Sequence, residues 1–257
     1  MISILIPARN EKYLQRTIDG LFENARGDIE VLVALDNWPS APQIKVKRGR
    51  VIHTRAGQRR ATTLLAQFAL GEIVMKTDAH CLFAPGYDIA LAKDLQPKTI
   101  LAPYMLVLDE EMWMPINKRA SQYCFDTNFI MQYDVERPEI LSETMCLQGS
   151  CFVMSRNDFF EFGLNDDKLD SWGGQGPELG IKAFLNGGKC MTTKNTYYAH
   201  LFRTTAEAFP YERGEDPGGL ATDQLIWRYR NKKLLPLIEK FGYPADWSVD
   251  NVHSLLA

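Results

Sequence analysis

The stretch Glu72–Tyr87, EIVMKTDAHCLFAPGY, opens as an apolar run and ends at a Pro-Gly turn. Glu72–Asp78 reads as a buried strand, and the turn closes the segment that follows it. Between the two stand Asp78 and His80. Residues i and i+2 of an extended segment face one side, so a carboxylate and an imidazole leave the chain together where the strand gives out.

The same pattern continues outward from this strand. Upstream, Ile2–Pro7 (ISILIP) is a short apolar run closed by proline, Ile29–Asp36 (IEVLVALD) a second, and Arg50–Thr54 (RVIHT) a third. Between them, EKYLQRTIDGLFENA carries Leu14, Ile18, Leu21 and Phe22 on one helical face, and QRRATTLLAQFAL predicts a helix stopped by Gly71. Strands alternating with helices predict an α/β fold with a mostly parallel central sheet and helices on both faces. Downstream, ILAPYMLVLDEE predicts a strand or edge ribbon, and Met112–Glu139 an insertion that covers the sheet. GSCFVMSRNDFFEFG returns to strand and short helix, and PELGIKAFLNGGK predicts a helix with proline in its first turn. KCMTTKNTYYAHLFR predicts one or two late strands, Thr204–Gly219 a polar loop, and TDQLIWRYRNKKLLPLIEKFG a closing helix interrupted at Pro236. With no repeat, low-complexity tract or linker, residues 1–257 predict one domain.

At 257 residues the chain is long enough for a substantial core, and 46% hydrophobic with 24% charged residues marks an ordinary water-soluble chain. A net charge of -3 points to no polyanionic partner and no acidic membrane surface. The opening MISILIPARNE has neither the basic start nor the apolar length of a secretion signal, and no run reaches the length of a membrane span. The five cysteines are odd in number and form no Cys-x-x-Cys pair, so they read as reduced thiols of a cytoplasmic protein.

In open α/β sheets, ligands sit beyond the carboxyl ends of the strands. Asp36 and Asp78 each end a predicted strand there. An Asp-x-His pair suits a divalent ion with oxygen and nitrogen ligands at about 2.0–2.2 Å; a capping aspartate and a packed histidine are the plain alternative. Of the other histidines, His53 lies within a strand and is expected to be packed, and His253 lies in a polar tail. His200, ending the apolar YYAHLFR, is the candidate third ligand.

TDAHC, SWGGQGPELGIKAFLNGG and YYAHLFR together resemble the polypeptide N-acetylgalactosaminyltransferases and related family 2-like glycosyltransferases of the GT-A (Rossmann-like) fold, and ISILIPARNEKYLQRTIDGLF is similar to that family's first strand and helix. The resemblance covers nearly the whole chain. It implies a nucleotide-binding half of about residues 1–110 and an acceptor half of about 111–257. It also implies Mn²⁺ held by Asp78, His80 and His200, the DXH motif and its partner, with a nucleotide-diphosphate sugar as donor, a UDP-sugar for preference. Pro7, Arg9, Asn10, Glu11 and Asp36 would hold base and ribose, with Asp78 at the phosphates. Gly57 and Arg60 match the family's GLxRAR segment and would face phosphate. Trp172, Gly173 and Gly174 would bring an apolar face and close backbone to a sugar, and Tyr211 belongs to a loop similar to a lid. Glu178, Gln175 and Arg203 are the catalytic candidates, each with a bland alternative in capping, packing or solvated surface. Gln175 stands where the family usually has Glu, and Gly176 where inverting relatives carry an aspartate base, so the resemblance implies retention of anomeric configuration.

Two other enzyme classes fit parts of the pattern. A metallohydrolase could use the same Asp/His/His set, and would release free sugar without acceptor. A nucleotidyltransferase shares sheet and nucleotide but calls for a Gly-rich first loop, which PARNE is not. A non-catalytic sugar-binding module leaves the metal set unexplained. For the acceptor, a saccharide or small molecule is favoured; the basic stretch Lys45–Arg60 keeps nucleic acid open.

Overall fold

A computed structural model of the chain describes residues 1–118, 121–165, 168–169, 173–203, 205, 208–211 and 219–257. The first half is four strands and two helices: β1 (Ile2–Ala8), α1 (Leu14–Asn24), β2 (Ile29–Asp36), β3 (Gly49–Thr54), α2 (Gly57–Phe68) and β4 (Ile73–Thr77). β1 lies between β2 and β4, parallel to both, with Leu5 opposite Leu32 on one side and Lys76 on the other. The chain thus builds outward from β1 to β3 and then returns to the other flank of β1. That reversal between β1 and β4 opens a crevice at the carboxyl ends of the two strands.

The second half adds β5 (Cys81–Phe83), α3 (Tyr87–Asp94), β6 (Thr99–Leu108), β7 (Pro115–Lys118), β8 (Tyr123–Phe125), β9 (Met131–Tyr133) and β10 (Leu141–Thr144). After these come β11 (Cys151–Ser155), α4 (Arg156–Glu161), α5 (Gln175–Leu185), β12 (Lys189–His200), α6 (Gly219–Tyr229), α7 (Leu235–Lys240) and α8 (Val252–Leu255). Strands of both halves share one ten-stranded sheet in the order β10-β12-β6-β11-β4-β1-β2-β3, with β5 on β12 and β7 on β6. β11 runs antiparallel between β4 and β6, while β12 is parallel to β6. β12 pairs with β6 in two registers, Lys189–Thr193 opposite Thr99–Pro103 and then Tyr197–His200 opposite Tyr104–Val107, with a bulge between them.

Alternation along the strands fills a core on each face. Ile4, Ile6, Val31, Val33 and Met75 pack with Leu14, Ile18 and Leu21 of α1; Leu5, Leu32, Ala34 and Val74 pack with Ala61, Leu65 and Ala66 of α2. Each such aliphatic side chain taken out of water contributes roughly 1.5–3 kcal/mol.

Of the two readings of ILAPYMLVLDEE, strand or edge ribbon, the structure takes the first: β6 is an interior strand, with Ile100, Leu101 and Ala102 buried in succession, on both faces. Two expectations need correction. His53 is exposed rather than packed, since β3 is the free edge of the sheet. Pro236 does not interrupt the closing helix. α6 ends before it, Asn231 Oδ1 accepts from Lys233 N at 3.1 Å to start a 3₁₀ turn, and the proline sits in the first turn of α7. There its missing N–H leaves no helical bond unmade.

Candidate active site

Three backbone pairings bring the candidate ligands together. Asp78 N donates to Ser150 O at 2.8 Å, Leu201 N donates to His80 O at 3.1 Å, and His200 sits opposite Cys81 in the β5–β12 register. The ligand atoms of Asp78, His80 and His200 all lie within 4.8 Å of one another. His80 Nε2 is 3.1 Å from His200 Nε2, and Asp78 Oδ2 is 3.3 Å from His200 Nε2 and 4.0 Å from His80 Nε2.

The donor set fits a divalent ion. Glu11 is buried, and its Oε2 lies 3.0 Å from His80 Nδ1. A carboxylate there takes the Nδ1–H and leaves a lone pair on Nε2, which is how imidazole ligands are commonly oriented. The same Glu11 oxygen accepts from Arg203. Burial would raise the Glu11 carboxyl, but His80 and Arg203 hold it below the ordinary value. Burial pushes His200 down to about 4, so its imidazole is neutral near pH 7 and free to ligate. Asp78 lies well below the usual carboxylate range: desolvation is outweighed by the Lys76 ammonium and by the two histidines. His200 Nδ1 is buried with no hydrogen-bond partner among the described residues.

Two cavities meet at this cluster. One of about 130 Å³ is lined by Pro7, Arg9, Glu11, Asp36 and Gly57, and one of about 830 Å³ by Lys76, Gly149, Gly173–Gly176 and residues of α6; Asp78, His80, Arg203 and Tyr211 line both. In the smaller one, Asp36 Oδ1 accepts from Thr54 Oγ1 at 2.7 Å, Ala56 N at 2.7 Å and Gly57 N at 3.1 Å. Asp36 therefore secures the start of α2 while sitting in the wall of a cavity. Gly57 has φ +77, a conformation that favours glycine.

A sequence profile described as Glycosyl transferase family 2 matches residues 3–162. The chain belongs to glycosyl transferase family 2. Among the relatives of this family 2 chain, the inactive polypeptide N-acetylgalactosaminyltransferase-like protein 5 of Macaca fascicularis is 24% identical over 227 residues, 77% of this chain and 51% of the relative. Polypeptide N-acetylgalactosaminyltransferase 13 of Rattus norvegicus is 26% identical over 200 residues, 73% of this chain and 35% of the relative. The chain thus spans between a third and about half of the length of these relatives. Among solved structures, GalNAc-T7 with UDP, GalNAc and Mn²⁺ aligns with a TM-score of 0.73 at 20% identity, covering 93% of this chain and 48% of that one. S. aureus TarS 1-349 in complex with UDP-GlcNAc aligns with a TM-score of 0.58 at 12% identity, covering 97% and 77%. These likenesses establish the GT-A architecture for the family 2 chain.

The remaining family-derived candidates fall in three groups. Pro7, Arg9, Glu11, Asp36, Gly57, Gly173, Gly174, Gln175, Arg203 and Tyr211 reach the cavities. Asn10 does not, but its Nδ2 donates to Pro210 O at 3.1 Å, and the Arg9 guanidinium lies 5.6 Å from the centre of the Tyr211 ring. Gln175 Nε2 donates to Asn165 Oδ1 at 2.7 Å. Arg60 is exposed on α2 and lines neither cavity. Glu178 is fully buried, accepting from Arg59 and, at 2.8 Å, from Lys182, and it too lines neither cavity. Trp172, Asp166, Asp167, Asp170 and most of the predicted lid between 204 and 218 lie outside the described residues.

Sequence reading missed four residues. Arg59, not Arg60, is the buried arginine, and it donates to the Gly173 carbonyl as well as to Glu178. The signal was available: position 59 shares the apolar stripe of Thr62 and Ala66, and position 60 does not. Lys76 is buried on a strand whose neighbours are apolar, on the face that Asp78 shares. Asp223 on α6 lines the larger cavity, as does Gln58 at the start of α2. No local pattern marks either of the last two. The basic residues of β3 and its approach make surface contacts, Arg48 with Asp28 at 3.4 Å and Arg50 over Phe68.

Proposed function

We propose that this chain is a divalent-metal-dependent glycosyltransferase that moves a sugar from a nucleoside-diphosphate sugar to an acceptor. One relative is described as inactive, so family membership alone does not carry the activity. The observation that does is the intact Asp78/His80/His200 cluster at the switch point of the sheet, between two cavities. Mn²⁺ is the ion we favour, since the GalNAc-T7 structure was solved with UDP, GalNAc and Mn²⁺. UDP-N-acetylhexosamines are the first donors to test, because GalNAc and UDP-GlcNAc accompany two of the structural neighbours.

Asp78, His80 and His200 would hold the ion, and the ion supplies charge neutralisation for a departing diphosphate. The protein's own groups do the rest. Glu11 fixes the His80 ring, and Arg203 is held by Glu11 at the junction of the cavities, where it can face phosphate. The smaller cavity takes the nucleoside against Asp36 and Gly57. The larger one takes donor sugar and acceptor, with Gly173 and Gly174 letting backbone approach and Gln175 and Tyr211 in the wall. Glu178, on this reading, acts through Arg59 by holding the Gly173 loop.

We favour retention. Among the described residues, the carboxylates that line the larger cavity are Asp78 and Asp223. Asp78 is committed to the cluster, and Asp109 and Glu110 are engaged elsewhere, Asp109 with Glu111 N and Met112 N and Glu110 with Lys12. The position that carries the base in inverting relatives is Gly176 here, with Gln175 beside it, which supports retention; Asp223 is the carboxylate that an inverting reading would need. A saccharide or small-molecule acceptor is the leading class. The cytoplasm is the favoured compartment, supported by five buried cysteines that form no disulfide; no described helix is long and apolar enough to cross a membrane.

A screen of UDP- and GDP-sugars with saccharide acceptors, with and without Mn²⁺, tests the reading. Nucleoside diphosphate should appear only with metal, and faster with acceptor. Free sugar released at full rate without acceptor would instead support a hydrolase, and failure with every donor would remove the proposal.

A further inference from the structure

Lys76 is the charge at this site that the motifs do not account for. Its side chain is 1% exposed, between Leu5 of β1 and Phe152 of β11, and it reaches the floor of the larger cavity. Lysine is almost never buried to this degree without a partner. Lys76 Nζ donates to Asp78 Oδ1 at 2.5 Å and to the Gly149 carbonyl at 2.7 Å. Only Oδ2 of Asp78 is left to face the histidines. Across the cluster, Arg203 is paired with Glu11 in the same way.

The charges therefore cancel in pairs, Asp78 with Lys76 and Glu11 with Arg203. A dication arriving alone meets no net negative charge, and its single anionic ligand already holds an ammonium. Like charges a few ångströms apart repel strongly where water is partly excluded. A nucleoside diphosphate brings the negative charge that this cluster lacks.

We propose that Lys76 is a positioning residue that leaves the metal site incomplete, so that a divalent cation is held firmly only together with a nucleoside diphosphate. This rests on the reading of Asp78, His80 and His200 as ligands and adds a binding rule to it. Lys76 restricts Asp78 to one oxygen and opposes the cation; the diphosphate offsets the ammonium and supplies further oxygens. Binding linkage is reciprocal, so metal strengthens nucleotide by the factor that nucleotide strengthens metal. Release of the diphosphate product then loosens the ion.

The test is Mn²⁺ binding followed by the electron paramagnetic resonance of the free ion, alone and with UDP or GDP, with calorimetry of the nucleotide in both conditions. In the wild type, nucleotide should tighten Mn²⁺ at least tenfold, and Mn²⁺ should tighten nucleotide equally. Lys76→Met should bind Mn²⁺ alone at least tenfold more tightly than wild type, with less further gain from nucleotide. Lys76→Arg should restore the wild-type pattern. Wild-type Mn²⁺ affinity that ignores the nucleotide overturns the proposal. So does Lys76→Met with weaker Mn²⁺ binding, the result expected of a lysine that merely supports the strand. If Lys76→Met does not fold, the wild-type coupling and Lys76→Arg decide. Failure of the underlying ligand assignment looks different: no Mn²⁺ bound with or without nucleotide, or binding unchanged in His200→Ala.

Discussion

Glu178 offers a sharp test, because a catalytic carboxylate and a buried structural one fail differently. Its side chain is fully buried, with Arg59 on Oε2 and Lys182 on Oε1. Arg59 and Lys182 are themselves 2% and 7% exposed. Glu178→Ala would take from two buried cations the carboxylate they share, leaving Arg59 with the Gly173 carbonyl and Lys182 with the Gly163 carbonyl. Removing one partner of a buried ion pair costs about 3–5 kcal/mol. For a chain of this size each kcal/mol lowers Tm by roughly 2–4 °C, so the variant should melt about 6–20 °C below wild type. Differential scanning calorimetry reads this directly. Glu178→Gln, which keeps the shape and one acceptor, should lose less. Below its melting point it should bind Mn²⁺ and nucleotide within a few-fold of wild type. A Glu178→Ala protein that melts within 2 °C of wild type but has lost turnover would refute this reasoning and return Glu178 to the chemistry.

Three further outcomes follow from the site. His200→Ala removes one of the three proposed ligands and should weaken Mn²⁺ binding in the presence of UDP by tenfold or more; unchanged binding by titration of the free-ion signal would mean the ion sits elsewhere. Asp36→Ala removes the acceptor of three donors, Thr54 Oγ1 at the end of β3 and Ala56 N and Gly57 N at the start of α2. It should cost about 0.5–2 kcal/mol in stability, the usual range for a lost helix cap, together with nucleotide affinity; wild-type UDP affinity by calorimetry would move the nucleoside out of the smaller cavity. Asp223→Asn separates the stereochemical readings, because general base catalysis is worth about 10²–10⁴-fold. Retention expects turnover within tenfold of wild type and an α-linked first product from an α-linked donor by proton NMR. A thousandfold loss with a β-linked product would make Asp223 the base of an inverting enzyme.

The first half of the fold was legible because each buried strand of a parallel sheet is a short, unbroken apolar run with a clear end. Ile29–Asp36 matches β2 residue for residue. The cluster at Asp78 was legible for the same reason, since the strand end and the i, i+2 rule bring two candidate ligands together at once. His200 was found only by setting aside the other histidines, because its approach depends on β12 pairing with β5, a contact between residues more than a hundred positions apart. Lys76 was hidden by its residue type: it is a charged side chain on a buried face, and only the partner identified in three dimensions, Asp78, explains why it is tolerated there. Arg59 was marked by the buried stripe of α2, but its partner Glu178 lies 119 positions away and no local pattern joins the two. Asp223 was hidden because its place in the cavity wall depends on where a helix packs, which no local pattern encodes.

The bulge in β12 carries a rule of length. From Thr193 to Tyr197 the strand advances four residues while β6 advances one, from Pro103 to Tyr104, so three residues are spent without a partner. That loop-out is pinned: Lys194 N donates to Ile140 O at 2.8 Å, and Thr193 Oγ1 donates to Asp94 Oδ2 at 2.6 Å. Pro103 and Tyr104 are consecutive and face opposite sides of the sheet, so Thr193 and Tyr197 do too, although they stand four positions apart. The alternation of an extended strand is thus interrupted at residues 194–196 and taken up afresh at Tyr197. A residue added or lost inside the loop-out would resize the bulge and leave Tyr197–His200 on their partners, with the imidazole of residue 200 still facing Asp78. The same change beyond Tyr197, where the pairing is continuous, would turn that imidazole to the other face.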